Sequence, residues 1–194
     1  MSREEYIVNL CKDLSGVFVE IGTCWGGLAE YLANHTNLSK LYCIDPYAVF
    51  PPHFYFDALN FIPQKDLDTK YELVKQRLEK TGKVSLLRTV SYEGCLQIPT
   101  AVDFVYIDGN HQHHQVLRDL TIWWNKLRPG GLLAGDDVED ISLPHLDGDL
   151  LIDRGNGSFG LYGVATALRD FASICPSFQY IVEGNQFYAW KPQQ

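Results

Sequence analysis

At 194 residues, with 46% apolar and 21% charged side chains, the chain has room for one full α/β domain with a real core and too little for two. Sixteen basic against 24 acidic residues leave a net charge of −8 and no basic run, which argues against a protein that grips nucleic-acid backbones.

The elements alternate. Ser2 with Glu5 three residues on is a capping-box start, and Tyr6, Ile7, Leu10 and Leu14 form an apolar stripe, so residues 1–15 read as an amphipathic helix. A β-branched and aromatic run over 16–21 is the first strand, and it breaks at Gly22. Helical spacing resumes over 26–34, followed by polar punctuation over 34–39 and a short strand at 41–44 ended by Asp45-Pro46. Residues 46–65 carry prolines and aromatics without a period and read as a packed loop or part of a substrate pocket. A charged helix over 66–80, a strand at 84–87 and a helical turn at 91–96 come next. Residues 102–107 are almost continuously apolar, as in a parallel strand covered on both faces. A helix then runs to about Leu127, with Trp123 and Trp124 expected in the core, and a strand at 132–134 ends in Gly135-Asp136-Asp137. The acidic, glycine-rich stretch 138–160 reads as a second substrate loop. A last helix at 164–174 and a hairpin at 178–190 turning on Glu183-Gly-Asn185 close the chain. The expected fold is a single Rossmann-like, doubly wound domain over 1–194, with a mostly parallel seven-stranded sheet and an antiparallel C-terminal hairpin.

Five cysteines (Cys11, Cys24, Cys43, Cys95, Cys175) are odd in number, scattered and never spaced C-x-x-C. They read as buried free thiols of a reducing compartment, not as a disulfide or zinc framework. The charged start lacks an apolar signal core, and no apolar run is long enough to span a membrane. The expectation is a cytoplasmic protein without a membrane partner, its oligomeric state left open.

In a doubly wound sheet, ligands bind beyond the carboxyl ends of the strands. Glu20, Gly22, Thr23, Asp45, Ser91, Asp108, His111, Asp136 and Asp137 collect there. That set is too acidic for a phosphate-bearing cofactor. Gly22-Thr-Cys-Trp-Gly26 also lacks the middle glycine that lets a pyrophosphate approach, and no lysine follows to grip phosphate. A cofactor with ribose hydroxyls and a positive centre fits better, as in S-adenosylmethionine.

Four stretches in register carry a resemblance: Val19-Glu-Ile-Gly-Thr-Cys-Trp-Gly-Gly27, Tyr42-Cys-Ile-Asp-Pro46, Asp103-Phe-Val-Tyr-Ile-Asp-Gly-Asn-His111 and Leu127-Arg-Pro-Gly-Gly-Leu-Leu-Ala-Gly-Asp-Asp137. Over roughly 15–137 they resemble the successive motifs of class I S-adenosylmethionine-dependent methyltransferases. The last two are similar to those of the metal-dependent small-molecule branch that includes macrolide-sugar O-methyltransferases. The resemblance implies that Glu20, Gly22, Thr23 and Gly26 line the methionine side, that Asp45 takes the ribose hydroxyls, and that Val90 and Ser91 flank the adenine, with Asp108 also near the donor. Asp108, Asp136 and Asp137 would hold a divalent ion, Mg²⁺ first with Mn²⁺ or Ca²⁺ as alternatives, because carboxylates on neighbouring strands repel without a cation between them. Sugar enzymes of this kind commonly have an aspartate base where this chain has Asn110, which cannot take a proton. His111, with Asp108 beside it, is therefore the expected catalytic base. His53, Tyr55 and His111 are the expected acceptor contacts, whereas His113 and His114 read as surface or packing residues. The implied activity is O-methylation of a sugar, glycan or other hydroxylated small molecule. An N- or nucleic-acid methyltransferase and a non-catalytic cofactor-binding scaffold stand as the alternatives.

Overall fold

The computed structural model describes residues 1–98, 101–153 and 159–193, with the backbone alone at 58 and 59. Nine strands and six α-helices lie within them, in the order α1 (Arg3–Cys11), β1 (Ser15–Ile21), α2 (Gly27–His35), β2 (Asn37–Ile44), α3 (Gln64–Glu79), β3 (Val84–Leu87), α4 (Ser91–Gln97), β4 (Val102–Ile107), α5 (His113–Lys126), β5 (Leu127–Gly135), β6 (Leu150–Asp153), β7 (Phe159–Tyr162), α6 (Val164–Ile174), β8 (Ile181–Glu183) and β9 (Gln186–Trp190). Seven strands form one sheet in the order β3-β2-β1-β4-β5-β9-β8. The first five are parallel, and β9 and β8 run antiparallel at the far edge. This is the expected Rossmann-like sheet, with its switch point between β1 and β4.

Alternation along the central strands builds a core on each face. Phe18, Phe104, Tyr106 and Leu132 pack under α1, α2 and α3 with Ile7, Leu28, Leu32, Val74 and Leu78. Val19, Ile21, Val105 and Leu133 pack under α5 and α6 with Leu120, Trp123, Leu168 and Phe171. Trp123 and Trp124 are core residues, as their helical spacing predicts. The N-terminal helix starts with the predicted capping box, the Ser2 hydroxyl accepting from the Glu5 N–H and the Glu5 carboxylate from the Ser2 N–H.

Three expectations change. β2 begins at Asn37, inside the stretch read as polar punctuation, because Ser15 and Gly16 of β1 supply parallel pairing to Asn37 and Leu38, and Leu38 is buried. The stretch 138–160 contains secondary structure: β6 and β7 pair as a separate two-stranded sheet. Residues 154–158 of that stretch lie outside the described residues. The cysteines are all free, but only Cys11 and Cys43 are buried; Cys24, Cys95 and Cys175 are partly exposed. No helix among the described residues is long and apolar enough to cross a membrane.

Candidate active site

The site lies at the carboxyl edge of the sheet, where β1 and β4 end side by side. Gly22 makes the close approach there. At φ +86° it lies so near the end of β4 that a Cβ would fall 1.8 Å from the Asp108 carbonyl oxygen, so no other residue fits. The Asp108 N–H donates to the Ile21 carbonyl and the Gly22 N–H to the Ile44 carbonyl, which ties three strand ends together. Cys24, Tyr47 and Asp137 follow the ends of β1, β2 and β5 with positive φ, a backbone state that non-glycine residues adopt at a cost and that gathers at functional sites.

A cleft of about 400 Å³ opens beside this junction. Gly22, Asp45, Tyr55, Val90, Ser91 and Asp108 of the sequence-predicted set line it, together with Cys24. Asp45 is held from below: Oδ2 accepts from the Cys24 N–H at 2.9 Å and Oδ1 from the Tyr47 N–H at 2.8 Å. Each oxygen keeps a lone pair for a ligand hydroxyl. Burial pushes the Asp45 carboxyl above its ordinary range, against those two backbone donors. Glu20 and Thr23 sit beneath the turn, both buried. Glu20 Oε2 and Thr23 Oγ1 are buried without a hydrogen-bond partner. Burial raises the Glu20 carboxyl to about 8. Gly26, the left-handed N-cap of α2, lies against Val74 and Arg77 and is not among the cleft's lining residues.

The far wall holds residues that the motifs did not indicate. Gln115, Arg118 and Asp119 project from α5 into the cleft lining beside Ser91. Asp119 is buried with Oδ1 unpartnered, and burial lifts its carboxyl to about 6. The Ser91 hydroxyl accepts from Trp123 Nε1 at 2.8 Å, so a core tryptophan sets the rotamer of a cleft residue. A polar residue in an otherwise apolar helical stripe was the available signal for Asp119.

The loop over 46–65 folds onto the cleft mouth. Asn60 holds its shape, accepting from the Phe50 N–H and donating to the Phe50 and Tyr55 carbonyls at 2.7–2.9 Å. Asn110 ties the loop to the end of β4 by donating to the Phe54 carbonyl. Phe50, Phe54 and Tyr55 thereby line the cleft. His53 does not: it is exposed and rests on Phe54.

A second group of side chains meets next to the cleft. His111 Nε2 lies 3.5 Å from Asp108 Oδ1 and 3.2 Å from Asp137 Oδ2, and all three residues offer donor atoms within 4.8 Å of one another. The His111 ring stacks on Tyr162 at 5.0 Å and 6° between planes. The Tyr162 hydroxyl in turn donates to buried Asp57 at 3.3 Å. Burial pulls the imidazole down, but the Asp108 and Asp137 carboxylates outweigh it and hold His111 above its ordinary value. Both ring nitrogens of His111 are buried without a hydrogen-bond partner, so Nε2 meets the two carboxylates at ion-pair distance only.

The trio Asp108, Asp136 and Asp137 is therefore not the trio that meets. Asp136 shares its strand face with Ala134 and Tyr106 and turns toward α1, where its carboxylate accepts from Arg3, from Asn185 and from the Asp137 N–H. His111 stands where Asp136 was expected. The acids of the 138–160 stretch are also already engaged. Glu139 accepts from the Ala165 N–H at the start of α6 and pairs with His145, while Asp149 accepts from the His113 N–H at the start of α5. Among the described residues of the β6–β7 arm, Tyr162 reaches the site through its stack on His111. His113 bonds Asp170 and His114 is exposed, both in keeping with packing and surface roles.

A family model described as a methyltransferase domain matches residues 19–138. An uncharacterised protein, R132, of Acanthamoeba polyphaga mimivirus is 25% identical over 141 residues; the match covers 70% of this chain, which spans only 58% of that relative. Among solved structures, the fold is similar to the N-methyltransferase NodS of Bradyrhizobium japonicum WM9 (17% identity, 99% of this chain, 95% of that one, TM-score 0.59). A precorrin-6y C5,15-methyltransferase of Geobacter metallireducens GS-15 (14%, 96% and 87%, 0.59) and an rRNA methylase of Streptococcus thermophilus (14%, 98% and 94%, 0.57) share it too.

Proposed function

Because the chain belongs to this methyltransferase-domain family, we propose that it is an S-adenosylmethionine-dependent O-methyltransferase acting on a hydroxylated small molecule, a sugar or glycan first. The observation that carries the reading is the corner at the end of β4, where a histidine held between two carboxylates borders a cleft built for a ribose-bearing donor. The NodS fold has also been solved with S-adenosylhomocysteine.

S-adenosylmethionine, once bound, supplies a sulfonium methyl group. The chain's own residues hold it and prepare the acceptor. Asp45 offers two carboxylate oxygens to vicinal hydroxyls, and Val90 and Ser91 border the base. Glu20 Oε2 and the Thr23 hydroxyl, both without a hydrogen-bond partner, supply polar groups below the turn for the cationic end. At the corner, His111 Nε2 lies against the Asp108 and Asp137 carboxylates; with its proton at Nε2 the ring keeps the Nδ1 lone pair, so His111 is the base for the acceptor proton. Asp108 stabilises the imidazolium that forms. Phe54 and Tyr55 offer apolar faces to an acceptor ring.

The donor set also fits a divalent cation. Asp108 and Asp137 are the carboxylates that would hold it, with Asp136 turned away; His111 is the third donor in reach, and as a ligand through Nε2 it would carry its proton at Nδ1 and would not be the base. Such an ion would lower the acceptor hydroxyl's pKa and orient it. The imidazole makes the set less suited to Mg²⁺ or Ca²⁺ than an all-oxygen one would be and more tolerant of a transition-metal ion.

The test is a methyl-transfer screen over sugars, catechols and nucleosides, with Mg²⁺, with Mn²⁺ and after chelation, with products identified by mass spectrometry and NMR. The proposal expects an O-methylated sugar or related product. Methylation confined to nitrogen acceptors or nucleic acid supports the alternative chemistry. Full turnover after thorough chelation removes the metal from the account.

A further inference from the structure

Carboxylates at the ends of adjacent parallel strands need a cation nearby, and at the β4–β5 junction the chain supplies one of its own. Arg3, the first residue of α1, reaches over the sheet edge. Its Nη1 lies 2.9 Å from Asp108 Oδ2 and 3.1 Å from Asp136 Oδ2. Asp136 is 5% exposed, so its charge has little solvent to fall back on. Asn185 fixes its other oxygen from the C-terminal hairpin. The same helix is fastened a turn later, where the Tyr6 hydroxyl donates to Glu183. Asp108 is thus divided, with Oδ2 facing Arg3 and Oδ1 facing His111.

We propose that Arg3 is the built-in counter-ion of the Asp108–Asp136 pair, and that it competes with a divalent cation for Asp108, so that docking of α1 and cation binding oppose each other. The proposal rests on the preceding reading only for the identity of the competitor. The argument is electrostatic. A guanidinium that already neutralises one oxygen of Asp108 lowers that carboxylate's attraction for a second cation, and the two positive groups repel across it. Arg3 also holds Asp136 on the α1 side, away from Asp137 and His111. Thermodynamic linkage makes the effect reciprocal: whatever α1 docking costs the cation, the cation costs α1 docking.

The experiment measures Mn²⁺ affinity by calorimetry and electron paramagnetic resonance in the full chain, in Arg3→Gln and in Arg3→Lys, and follows amide hydrogen exchange across residues 3–11 with and without Mn²⁺. Arg3→Gln is expected to bind Mn²⁺ about tenfold more tightly, Arg3→Lys to stay near the parent chain, and saturating Mn²⁺ to speed exchange in α1 of the parent. Equal Mn²⁺ affinity in the parent and Arg3→Gln overturns the proposal, as does no binding to Arg3→Gln at millimolar Mn²⁺. Should Arg3→Gln not fold, exchange in the unaltered chain decides: α1 protection unchanged by bound Mn²⁺ overturns it. S-adenosylhomocysteine binding in the same samples keeps the two readings apart. Its loss with the competition intact counts against methyl transfer and leaves the role of Arg3 standing.

Discussion

The cleft proposed to hold the methyl donor and the corner proposed to meet the acceptor share one edge of the sheet but are built from different materials. The floor of the cleft is mostly backbone: Gly22 at its close approach, and the Cys24 and Tyr47 N–H groups beneath Asp45. That floor comes from the first two crossovers, while Ser91 and the α5 residues Gln115, Arg118 and Asp119 close the far wall. The corner is made of side chains from three distant segments, with Asp108 and His111 from the turn between β4 and α5, Asp137 after β5 and Tyr162 at the end of β7. A site of backbone tolerates variation in side chains but not in glycine. A site of side chains depends on each segment docking in place. Substitutions in the two regions should therefore fail in different ways.

The largest effect is expected at Gly22. A methyl group there would overlap the Asp108 carbonyl in a left-handed backbone state, so Gly22→Ala should abolish measurable S-adenosylhomocysteine binding and lower the unfolding midpoint. Normal affinity by calorimetry would break the picture of a backbone-built cleft. On the corner side, His111→Ala should lower turnover by about 10²–10⁴-fold, the usual range for a lost general base. S-adenosylhomocysteine affinity should hold, and a loss of both would mean that the regions are not separable.

Asp45→Ala comes next. Losing hydrogen bonds to a charged acceptor costs about 1.5–3 kcal/mol, so donor affinity should fall roughly ten- to a hundredfold while turnover at saturating donor changes little. A drop in turnover with donor affinity unchanged would move Asp45 to the corner. Glu20 gives a pH test of the cleft's floor. Its carboxyl titrates near 8 when folded, against an ordinary 4.5. Between those values the folded chain holds a proton that the unfolded chain has released, so this group makes stability fall as pH rises from about 4.5 to 8. Denaturant unfolding across that range should show the decline, and Glu20→Gln should flatten it; an unchanged slope in the variant would remove Glu20 as its source. The smallest effect is at Tyr162. Tyr162→Phe keeps the stack on His111 and loses the hydroxyl's hydrogen bond to the Asp57 side chain, worth about 1–3 kcal/mol in stability. Tyr162→Leu should reduce turnover more than Tyr162→Phe does, and equal effects would mean that the ring stack does not position His111.

The same division explains what could be read from the sequence. The cleft was legible because its determinants are local: a β-branched run, a glycine where the chain must turn tightly, and an acid closing the next strand. The core was legible by the same periodicity, and Trp123 and Trp124 fell where their helical spacing puts them. The corner was legible only in part. Asp108 and His111 belong to one continuous motif, but the fate of Asp136 depends on Arg3, 133 residues away, and on a helix whose docking no local pattern encodes. Alternation along β5 did hold a clue, since Asp136 has the parity of Ala134, which faces α1. Tyr162 had no such signal, because β6 and β7 are short and partly exposed and are placed by long-range contacts: the Leu161 N–H to Phe56 carbonyl bond, the Tyr162 hydroxyl on Asp57 and the His111 stack. The acids of the arm suggested hydroxyl recognition by composition, whereas Glu139 and Asp149 serve helix starts, which composition cannot distinguish from ligand contacts.

The most direct test of the central claim is transfer of an isotopically labelled methyl group from S-adenosylmethionine to a panel of hydroxylated acceptors by the parent chain and by His111→Ala, with donor affinity measured on both. The account predicts an O-methyl product from the parent, its near loss in the variant, and equal affinity for S-adenosylhomocysteine. Labelled product formed as fast by His111→Ala as by the parent, or labelled only on nitrogen or carbon, would contradict it.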